Sequence, residues 1–186
     1  AYWRTRDGNF SLNGLMGFDM HGKTIGIIGT GKIAKILIRL LKGFGMRILA
    51  YDLYPDMKFA GEEGISYVSL DELYRESDII SLHCPLTDQT KYMIDKDSID
   101  KMKEGVMIIN TGRGQLINTN DLIEGLKEGY IQVISTDHAP HTQKDKTGSM
   151  RTAAFGIVGI ETSFALSYTA LVETGVLTLS QLVEKM

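Results

Sequence analysis

The stretch "KTIGIIGTGKIAKILIRLLKGFG", Lys23 to Gly45, points most directly to the fold of this chain. Its first half is an apolar, β-branched run that ends in glycines, which is typical of a buried strand in a parallel sheet. Its second half predicts an amphipathic helix. The apolar face of that helix is predicted to consist of Ile33, Ile36, Leu37, Leu40, Leu41 and Phe44. A strand that runs directly into a helix is typical of a βαβ unit.

The junction between this strand and this helix, "GTGKIA", fits the pattern G-x-G-x-x-A of dinucleotide-binding turns. In that pattern Gly29 permits the tight turn, Gly31 lets the backbone approach a pyrophosphate, and Ala34 lets helix and strand pack closely. The helix N-terminus presents free N–H groups to the phosphates. The predicted pyrophosphate site therefore comprises Gly29, Thr30, Gly31, Lys32 and Ile33. Glycines also suit any tight βα turn, so the context must support the assignment.

An acidic residue supplies that context. Asp52 ends the second predicted strand, "RILAYD", 23 residues after Gly29. A carboxylate at this place can accept hydrogen bonds from both ribose hydroxyls, and it repels a 2′-phosphate. We therefore predict NAD, rather than NADP, as the cofactor.

The rest of the chain continues the alternation of strands and helices. Such alternation predicts an α/β fold, a Rossmann-like doubly wound parallel sheet covered by helices on both faces. Further strands are predicted at 47–52, 65–69, 78–84, 106–112 and 132–136. Helices are predicted at 70–77, 97–105, 119–129, 160–175 and 178–186, the first with Ser69 and Glu72 as a capping box.

The composition excludes several classes of function. The chain has 186 residues, enough for one domain with a sizeable core, and a net charge of −3. That charge gives no electrostatic basis for binding nucleic acid or an anionic membrane surface. No apolar run is long enough to predict a membrane-spanning helix. A single cysteine, Cys84, excludes an internal disulfide and favours a cytoplasmic location.

Three stretches resemble the nucleotide-binding domain of the D-2-hydroxyacid dehydrogenases, and the D-lactate dehydrogenases in particular. They are "GFDMHGKTIGIIGTGKIAKILIRLLKGFGMRILAYD", "HCPLTDQTKYMI" and "MIINTGRGQLIN", and the resemblance covers residues 1–131. It implies that the segment His83, Cys84, Pro85, Leu86 and Thr87 lines the NAD groove, and that Thr111 and Arg113 also adjoin the cofactor. It also implies that Arg113 holds the substrate carboxylate, a bidentate task that suits a guanidinium. The alternative for Arg113 is a solvated loop side chain.

The opening segment "AYWRTRDGNFSLNGL" is similar to an arm that lies between subunits in the same family. The resemblance therefore allows a homodimer through this N-terminal arm.

The family pattern stops after residue 131. The family continues with a strand ending in an aspartate, then a catalytic glutamate, and later a histidine that donates and accepts the proton. Thr142 stands where the glutamate should be, and no histidine follows His141. The family's separate substrate domain is also missing from the sequence. We therefore expect an NAD-binding domain whose catalytic site is incomplete.

Residues 132–186 instead resemble the last strand and helices of dihydroorotase, a zinc (β/α)₈-barrel hydrolase. The match rests on "STDHAPH" with Lys146 five residues later, and on the apolar helices that follow. The resemblance implies that Asp137 once served a metal centre as base and that His141 once contacted the substrate carboxylate. A hydrolytic zinc site needs at least three protein ligands. Because the family's remaining ligands are absent, we predict no metal site.

Together these resemblances predict an artificial or recombined chain, with a (β/α)₈-barrel fragment supplying the last βα elements of a Rossmann domain. Both folds use right-handed parallel βα units, so the exchange is physically reasonable. The family pattern aligns without a gap from Gly129 to Asp137, which would place Asp137 where the family binds the nicotinamide carboxamide. A shift of the strand register by one residue would instead move every side chain of this strand to the opposite face of the sheet. The alternative is an aspartate that faces water.

Two other functions remain open at this stage. One is a weak D-2-hydroxyacid dehydrogenase that uses Arg113 with His138 or His141 as a surrogate base. The other is a structural protein with no ligand. Dihydroorotate hydrolysis is the least supported activity.

Overall fold

Five parallel strands form the sheet in the computed structural model, which describes residues 5–11, 17–129, 142, 147 and 160–186. The strands are β1 (Thr24–Ile28), β2 (Arg47–Tyr51), β3 (Ser66–Tyr67), β4 (Ile79–Leu82) and β5 (Met107–Asn110). Their order is β3-β2-β1-β4-β5, so the direction of winding reverses between β1 and β4. This confirms the predicted α/β, Rossmann-like parallel sheet within the described residues.

Helices follow the strands as the sequence predicts, with two differences. Their bounds are α1 (Lys32–Lys42), α2 (Met57–Glu63), α3 (Leu70–Glu76), α4 (Lys96–Ile99), α5 (Thr119–Glu128), α6 (Ile160–Ser167) and α7 (Leu179–Lys185). A 3₁₀ turn covers Gly114–Leu116, and a π-helical turn continues α6 over Tyr168–Val172. The sequence prediction missed α2, and it made α4 too long.

Local capping explains where these helices begin and end. Ser69 accepts a hydrogen bond from the N–H of Glu72 and so caps α3, which is the Ser69 half of the predicted capping box. Asp95 and Ser98 form a reciprocal capping box around the single turn of α4. Gly129 ends α5 with a φ of 88°, a left-handed conformation that favours glycine.

Apolar side chains fill both sides of the sheet. All residues of β1 and β4 are buried, as expected for the central strands of a doubly wound sheet. One cluster of buried side chains is centred on Ile80 and Leu82 and includes Leu73 and Leu116. The other lies beneath α1 and α2 and includes Ile27. The sheet therefore holds the core between two helical layers.

The buried face of α1 differs from the predicted one. The helix buries Ala34, Ile38 and Leu41. Four members of the predicted face are exposed instead, namely Ile33, Ile36, Leu40 and Phe44. Apolar residues cover two adjacent faces of this helix, so their spacing alone does not select the buried one. The face with Ala34 packs on the sheet because a small side chain permits close approach.

The polar stripe of α1 pairs with α2. Lys35 forms an ion pair with Asp56, the residue that caps α2. Arg39 and Lys42 both contact Glu63, at 2.7 and 2.9 Å. These pairs join the exposed side of α1 to α2.

The C-terminal helices have a small core of their own. Leu171, Leu177 and Leu182 are buried together, and Ile123 of α5 packs against them. The predicted strand 132–136 and the predicted joint after residue 131 lie outside the described residues. Over the described part of the chain, no helix is both long and apolar enough to cross a membrane.

Candidate functional site

The candidate residues collect at one edge of the sheet. The carboxyl ends of β2, β1, β4 and β5 lie side by side because β1 pairs with both β2 and β4, and β4 pairs with β5. The segments that follow these strands carry Asp52, Gly29, His83 and Arg113, respectively. In open parallel sheets, ligands bind at this edge, beside the point where the strand order reverses.

Gly29 is required by the packing of the chain itself. Its φ is 91°, and its N–H donates a 2.8 Å hydrogen bond to the carbonyl of Tyr51. A Cβ at this position would lie 2.6 Å from the main-chain nitrogen of Cys84. The turn after β1 therefore touches the segment after β4, and only glycine permits this approach.

Gly31 is different, because no described part of the chain requires a glycine there. Its φ is −68°, which other residues also adopt. Among the described residues, a Cβ at Gly31 would meet no atom within 4 Å beyond its chain neighbours. Open space over this glycine leaves room for a ligand to approach the backbone closely.

The N-terminus of α1 fits an anion. Within the described chain no side chain caps it, and its first turn holds no acidic residue. The first N–H groups of a helix need partners from outside the helix, and the helix dipole favours negative charge there. The residues present therefore fit the pyrophosphate of a dinucleotide.

Asp52 is half-buried at the end of β2 and tied to the same turn. Its Oδ2 accepts hydrogen bonds from the N–H of Thr30 at 2.6 Å and from Thr30 Oγ1 at 3.0 Å. Its Oδ1 accepts one from the N–H of Tyr54 at 2.9 Å. Burial alone raises the pKa of Asp52, but these hydrogen bonds outweigh it, so the pKa lies below its usual value. The carboxylate is charged at neutral pH and repels a 2′-phosphate.

His83 and Cys84 follow β4 and adjoin the glycine turn. His83 Nε2 lies 2.9 Å from Ser81 Oγ, and burial lowers the pKa of His83, which favours the neutral ring. Burial raises the pKa of the Cys84 thiol, whose sulfur lies 3.6 Å from Met93 Sδ. Pro85 is exposed, and its carbonyl accepts a 2.7 Å hydrogen bond from Thr90 Oγ1. These residues form one wall of the candidate groove.

Arg113 and Thr111 follow β5, and both are exposed. The side chain of Asn110 donates a 2.9 Å hydrogen bond to the Arg113 carbonyl and shapes the loop. A Cβ at Gly112 would lie 3.9 Å from the carbonyl oxygen of Cys84, so this loop adjoins the His83–Pro85 segment.

Asp137 and His141, the two candidates from the hydrolase-like segment, lie outside the described residues. Across the described ranges, no group of three His, Cys, Asp or Glu side chains could hold a metal ion.

Sequence reasoning missed Tyr67 as a member of this site. Tyr67 ends β3, and its hydroxyl lies 2.8 Å from Thr30 Oγ1. The strand order β3-β2-β1 brings the end of β3 toward the turn that Thr30 occupies. The sequence does show a hydroxyl-bearing residue near the end of a predicted strand. That residue can be assigned to the site only when the order of the strands in the sheet is known.

The family model "D-isomer specific 2-hydroxyacid dehydrogenase, NAD binding domain" matches residues 1–154. The match extends beyond residue 131, where the sequence motifs of that family appeared to end.

Individual relatives give the same result. The D-lactate dehydrogenase of Escherichia coli strain K12 is 54% identical over 137 residues, which cover 74% of this chain and 41% of that enzyme. The structure of Salmonella D-lactate dehydrogenase matches with a TM-score of 0.65 and 56% identity, over 72% of this chain and 40% of that one. A D-isomer-specific 2-hydroxyacid dehydrogenase from Lactobacillus delbrueckii, solved in its NAD-complexed form, matches with a TM-score of 0.61 and 32% identity, over 71% of this chain and 40% of that one. The chain thus spans about 40% of the length of these relatives.

Proposed function

Because this chain belongs to the family of D-isomer-specific 2-hydroxyacid dehydrogenases and carries its NAD-binding domain, we propose that it acts as an NAD-binding module whose catalytic site is incomplete. The observation that carries the proposal is the turn after β1. An uncapped helix N-terminus, an open approach over Gly31 and a charged Asp52 lie together there. These three features match the pyrophosphate and ribose of a dinucleotide.

We assign the remaining roles as follows. Gly31, Lys32 and Ile33 hold the pyrophosphate through main-chain N–H groups. Gly29 and Thr30 shape the turn around it, because their own N–H groups already donate to the Tyr51 carbonyl and to Asp52. His83, Cys84, Pro85 and Thr111 line the groove beyond it. When bound, the nicotinamide supplies or takes up a hydride, while the protein contributes binding and orientation.

Catalysis is proposed to be incomplete because the family's glutamate has no counterpart here and residues 142–186 contain no histidine. Thr142 stands where the family places its glutamate, and a threonine cannot tune a histidine as a carboxylate does. Arg113 is exposed and adjoins the Cys84 segment, so it could still hold a substrate carboxylate. We regard it as a vestige of the parent active site.

We further propose that residues 132–186 come from a dihydroorotase-like barrel and complete the same domain. The support is the "STDHAPH" motif with the helices after it. In this view Asp137 and His141 are vestiges of a hydrolase site, and neither serves a metal here. A homodimer through the N-terminal arm and a cytoplasmic location, which suits the free thiol of Cys84, complete the proposal.

Cofactor choice tests the proposed site. Replacing Asp52 with Arg should weaken NADH binding about tenfold and strengthen NADPH binding, because the change exchanges repulsion of a 2′-phosphate for attraction. Titration calorimetry of both dinucleotides measures this. Asp100→Arg is the matched control, since Asp100 makes only an exposed ion pair with Lys96. An unchanged preference in Asp52→Arg would reject the assignment of Asp52.

A second measurement separates the module from a weak D-lactate dehydrogenase, the alternative that Arg113 favours. Pyruvate-dependent NADH oxidation should be slower than that of a complete family member by at least about 10²–10⁴-fold, the usual contribution of a positioned proton donor. A rate near that of ordinary dehydrogenases, abolished by Arg113→Ala, would establish the alternative instead.

A further inference from the structure

A line of hydrogen bonds joins the N-terminus of α2 to the carboxylate of Asp52. The N–H of Asp56 lies 3.2 Å from the hydroxyl of Tyr67. That hydroxyl lies 2.8 Å from Thr30 Oγ1, which lies 3.0 Å from Asp52 Oδ2. Thr30 is only 5% exposed, so its hydroxyl has few other partners available. Four residues, from the segments after β1 and β2 and from the end of β3, therefore form one line of hydrogen bonds.

The donor and the acceptor of each hydrogen bond in this line follow from the chemistry of the two groups that the bond joins. An ionised carboxylate can only accept, so the Thr30 hydroxyl donates its single proton to Asp52. Thr30 must then accept from Tyr67, whose hydroxyl also has one proton. A main-chain N–H can only donate, so Tyr67 accepts from Asp56. Asp52 therefore sets the direction in which the Thr30 hydroxyl donates, and the Tyr67 hydroxyl holds Thr30 Oγ1 in place by donating to it.

The Asp56 end of this line of hydrogen bonds is firmly anchored. Asp56 caps α2 by accepting a 3.0 Å hydrogen bond from the N–H of Phe59, and its carboxylate pairs with Lys35 of α1. The aromatic ring of Tyr67 packs against the core cluster beneath α1 and α2. Tyr67 is therefore held at both its ring and its hydroxyl.

The hydrogen bonds at the Asp52 end determine which of its carboxylate oxygens can accept a hydrogen bond from a ligand. An ionised carboxylate has about four acceptor sites. Thr30 fills both sites of Oδ2, and the N–H of Tyr54 fills one site of Oδ1. Within the described residues, Oδ1 is therefore the less occupied of the two oxygens, and the N–H of Leu53 also stabilises the charged carboxylate.

We propose that Tyr67 is a positioning residue that keeps the Thr30 hydroxyl on Asp52 Oδ2 and thereby reserves Oδ1 for a ribose hydroxyl. This assignment rests on the proposed cofactor site and adds to it. One oxygen of Asp52 holds the protein turn, and the other recognises the sugar. The earlier expectation that the carboxylate serves both ribose hydroxyls is thereby narrowed to one direct hydrogen bond.

Adenine nucleotides with and without ribose hydroxyls test the role of Tyr67. ADP and 2′,3′-dideoxy-ADP are titrated into the full ¹⁵N-labelled chain, and Kd is obtained from amide chemical shifts. Tyr67→Phe should weaken ADP about fivefold, the factor that corresponds to one hydrogen bond. It should change the Kd of dideoxy-ADP by less than about twofold, because that ligand has no hydroxyl for Oδ1 to hold. A purely structural role for Tyr67 would weaken both ligands alike.

Variants of Thr30 test whether Tyr67 acts through that residue. In a Thr30→Val background, Tyr67→Phe should have no further effect on ADP, because the link between them is already broken. In a Thr30→Ser background, which keeps the hydroxyl, Tyr67→Phe should weaken ADP by the same factor as it does in the wild type. Tyr74→Phe is the matched control. It removes the 2.9 Å hydrogen bond that the Tyr74 hydroxyl donates to the Met93 carbonyl, which is not part of the line from Asp56 to Asp52.

The outcomes are distinguishable. Equal losses for ADP and dideoxy-ADP, or full additivity with Thr30→Val, would overturn the role of Tyr67 and leave the cofactor site intact. Absence of any ADP binding by the folded wild-type chain would overturn both the cofactor site and this assignment.

Discussion

The sheet region, residues 17–129, and the C-terminal helical region, residues 160–186, bury their apolar side chains to very different extents. Two clusters of twelve buried side chains each hold the sheet region together. The helical region has one cluster of three buried leucines within the described residues. Phe164 and Leu166 of α6 remain 46% and 66% exposed. An apolar sequence therefore does not ensure that a helix is buried, because its side chains also need a neighbouring surface, such as a sheet, to pack against.

The largest expected effect tests this difference in packing. Leu82→Ala should lower the free energy of unfolding by about 4 kcal/mol, because a fully buried leucine between a sheet and its helices leaves a cavity. Leu182→Ala removes an equally buried side chain, but its small cluster can collapse more easily, so we expect about 2 kcal/mol. Urea denaturation measures both. Equal losses would show that the helical region is as integral to the core as the sheet.

Two glycines of the same turn separate folding from binding within the sheet region. Gly29→Ala should cost about 3 kcal/mol, because its Cβ would meet the backbone of Cys84 and its φ is 91°. Gly31→Ala should change stability by less than about 0.5 kcal/mol, yet weaken NADH, because only the ligand needs that space. Thermal unfolding and NADH titration of both variants test this. A strongly destabilised Gly31→Ala would show that the chain itself requires the glycine.

Acid should weaken the sheet region through Asp78. Burial raises the pKa of this residue, but the Thr24 N–H at 2.8 Å and Lys103 at 2.9 Å outweigh that and lower the pKa below its usual value. A depressed pKa stabilises the fold above the unfolded-state value, and this contribution is lost as the pH falls through the folded-state value. Stability should therefore fall as the pH drops below about 4, the ordinary pKa of an aspartate.

The variant Asp78→Asn checks that effect. It should start less stable at pH 7 and lose less between pH 5 and pH 3 than the wild type does, as followed by urea midpoints. The same loss in both proteins would assign the acid sensitivity to other groups.

The smallest expected effect concerns the joint between the two regions. If Asp137 accepts a hydrogen bond from the nicotinamide carboxamide, Asp137→Ala should weaken NADH by about 1 kcal/mol. ADP-ribose lacks the nicotinamide, so its affinity should not change. Calorimetry with both ligands decides the matter, and equal changes for the two, or none for either, would remove Asp137 from the cofactor site.

Sequence patterns predicted the parallel sheet because they report local properties. The apolar run of β1, its glycine turn and Asp52 at the end of β2 all act within one βαβ unit. The buried face of α1 was predicted wrongly because apolar residues lie on two adjacent faces of the helix, and the choice between them depends on the close packing of Ala34 against the sheet.

The site divides in the same way. The glycine turn could be predicted because its spacing is contiguous in the sequence. The contact of Tyr67 with Thr30 spans 37 residues and requires the strand order to be known. Long-range contacts of this kind leave no periodic signal in one sequence.

The most direct test of the account is a calorimetric titration of the folded 186-residue chain with NADH. The pyrophosphate turn and Asp52 are present, while the chain spans about 40% of its relatives' length. We therefore predict one site per chain, with a Kd in the micromolar range or weaker. Absence of heat with NADH and with NADPH, on protein shown to be folded by circular dichroism, would contradict the account.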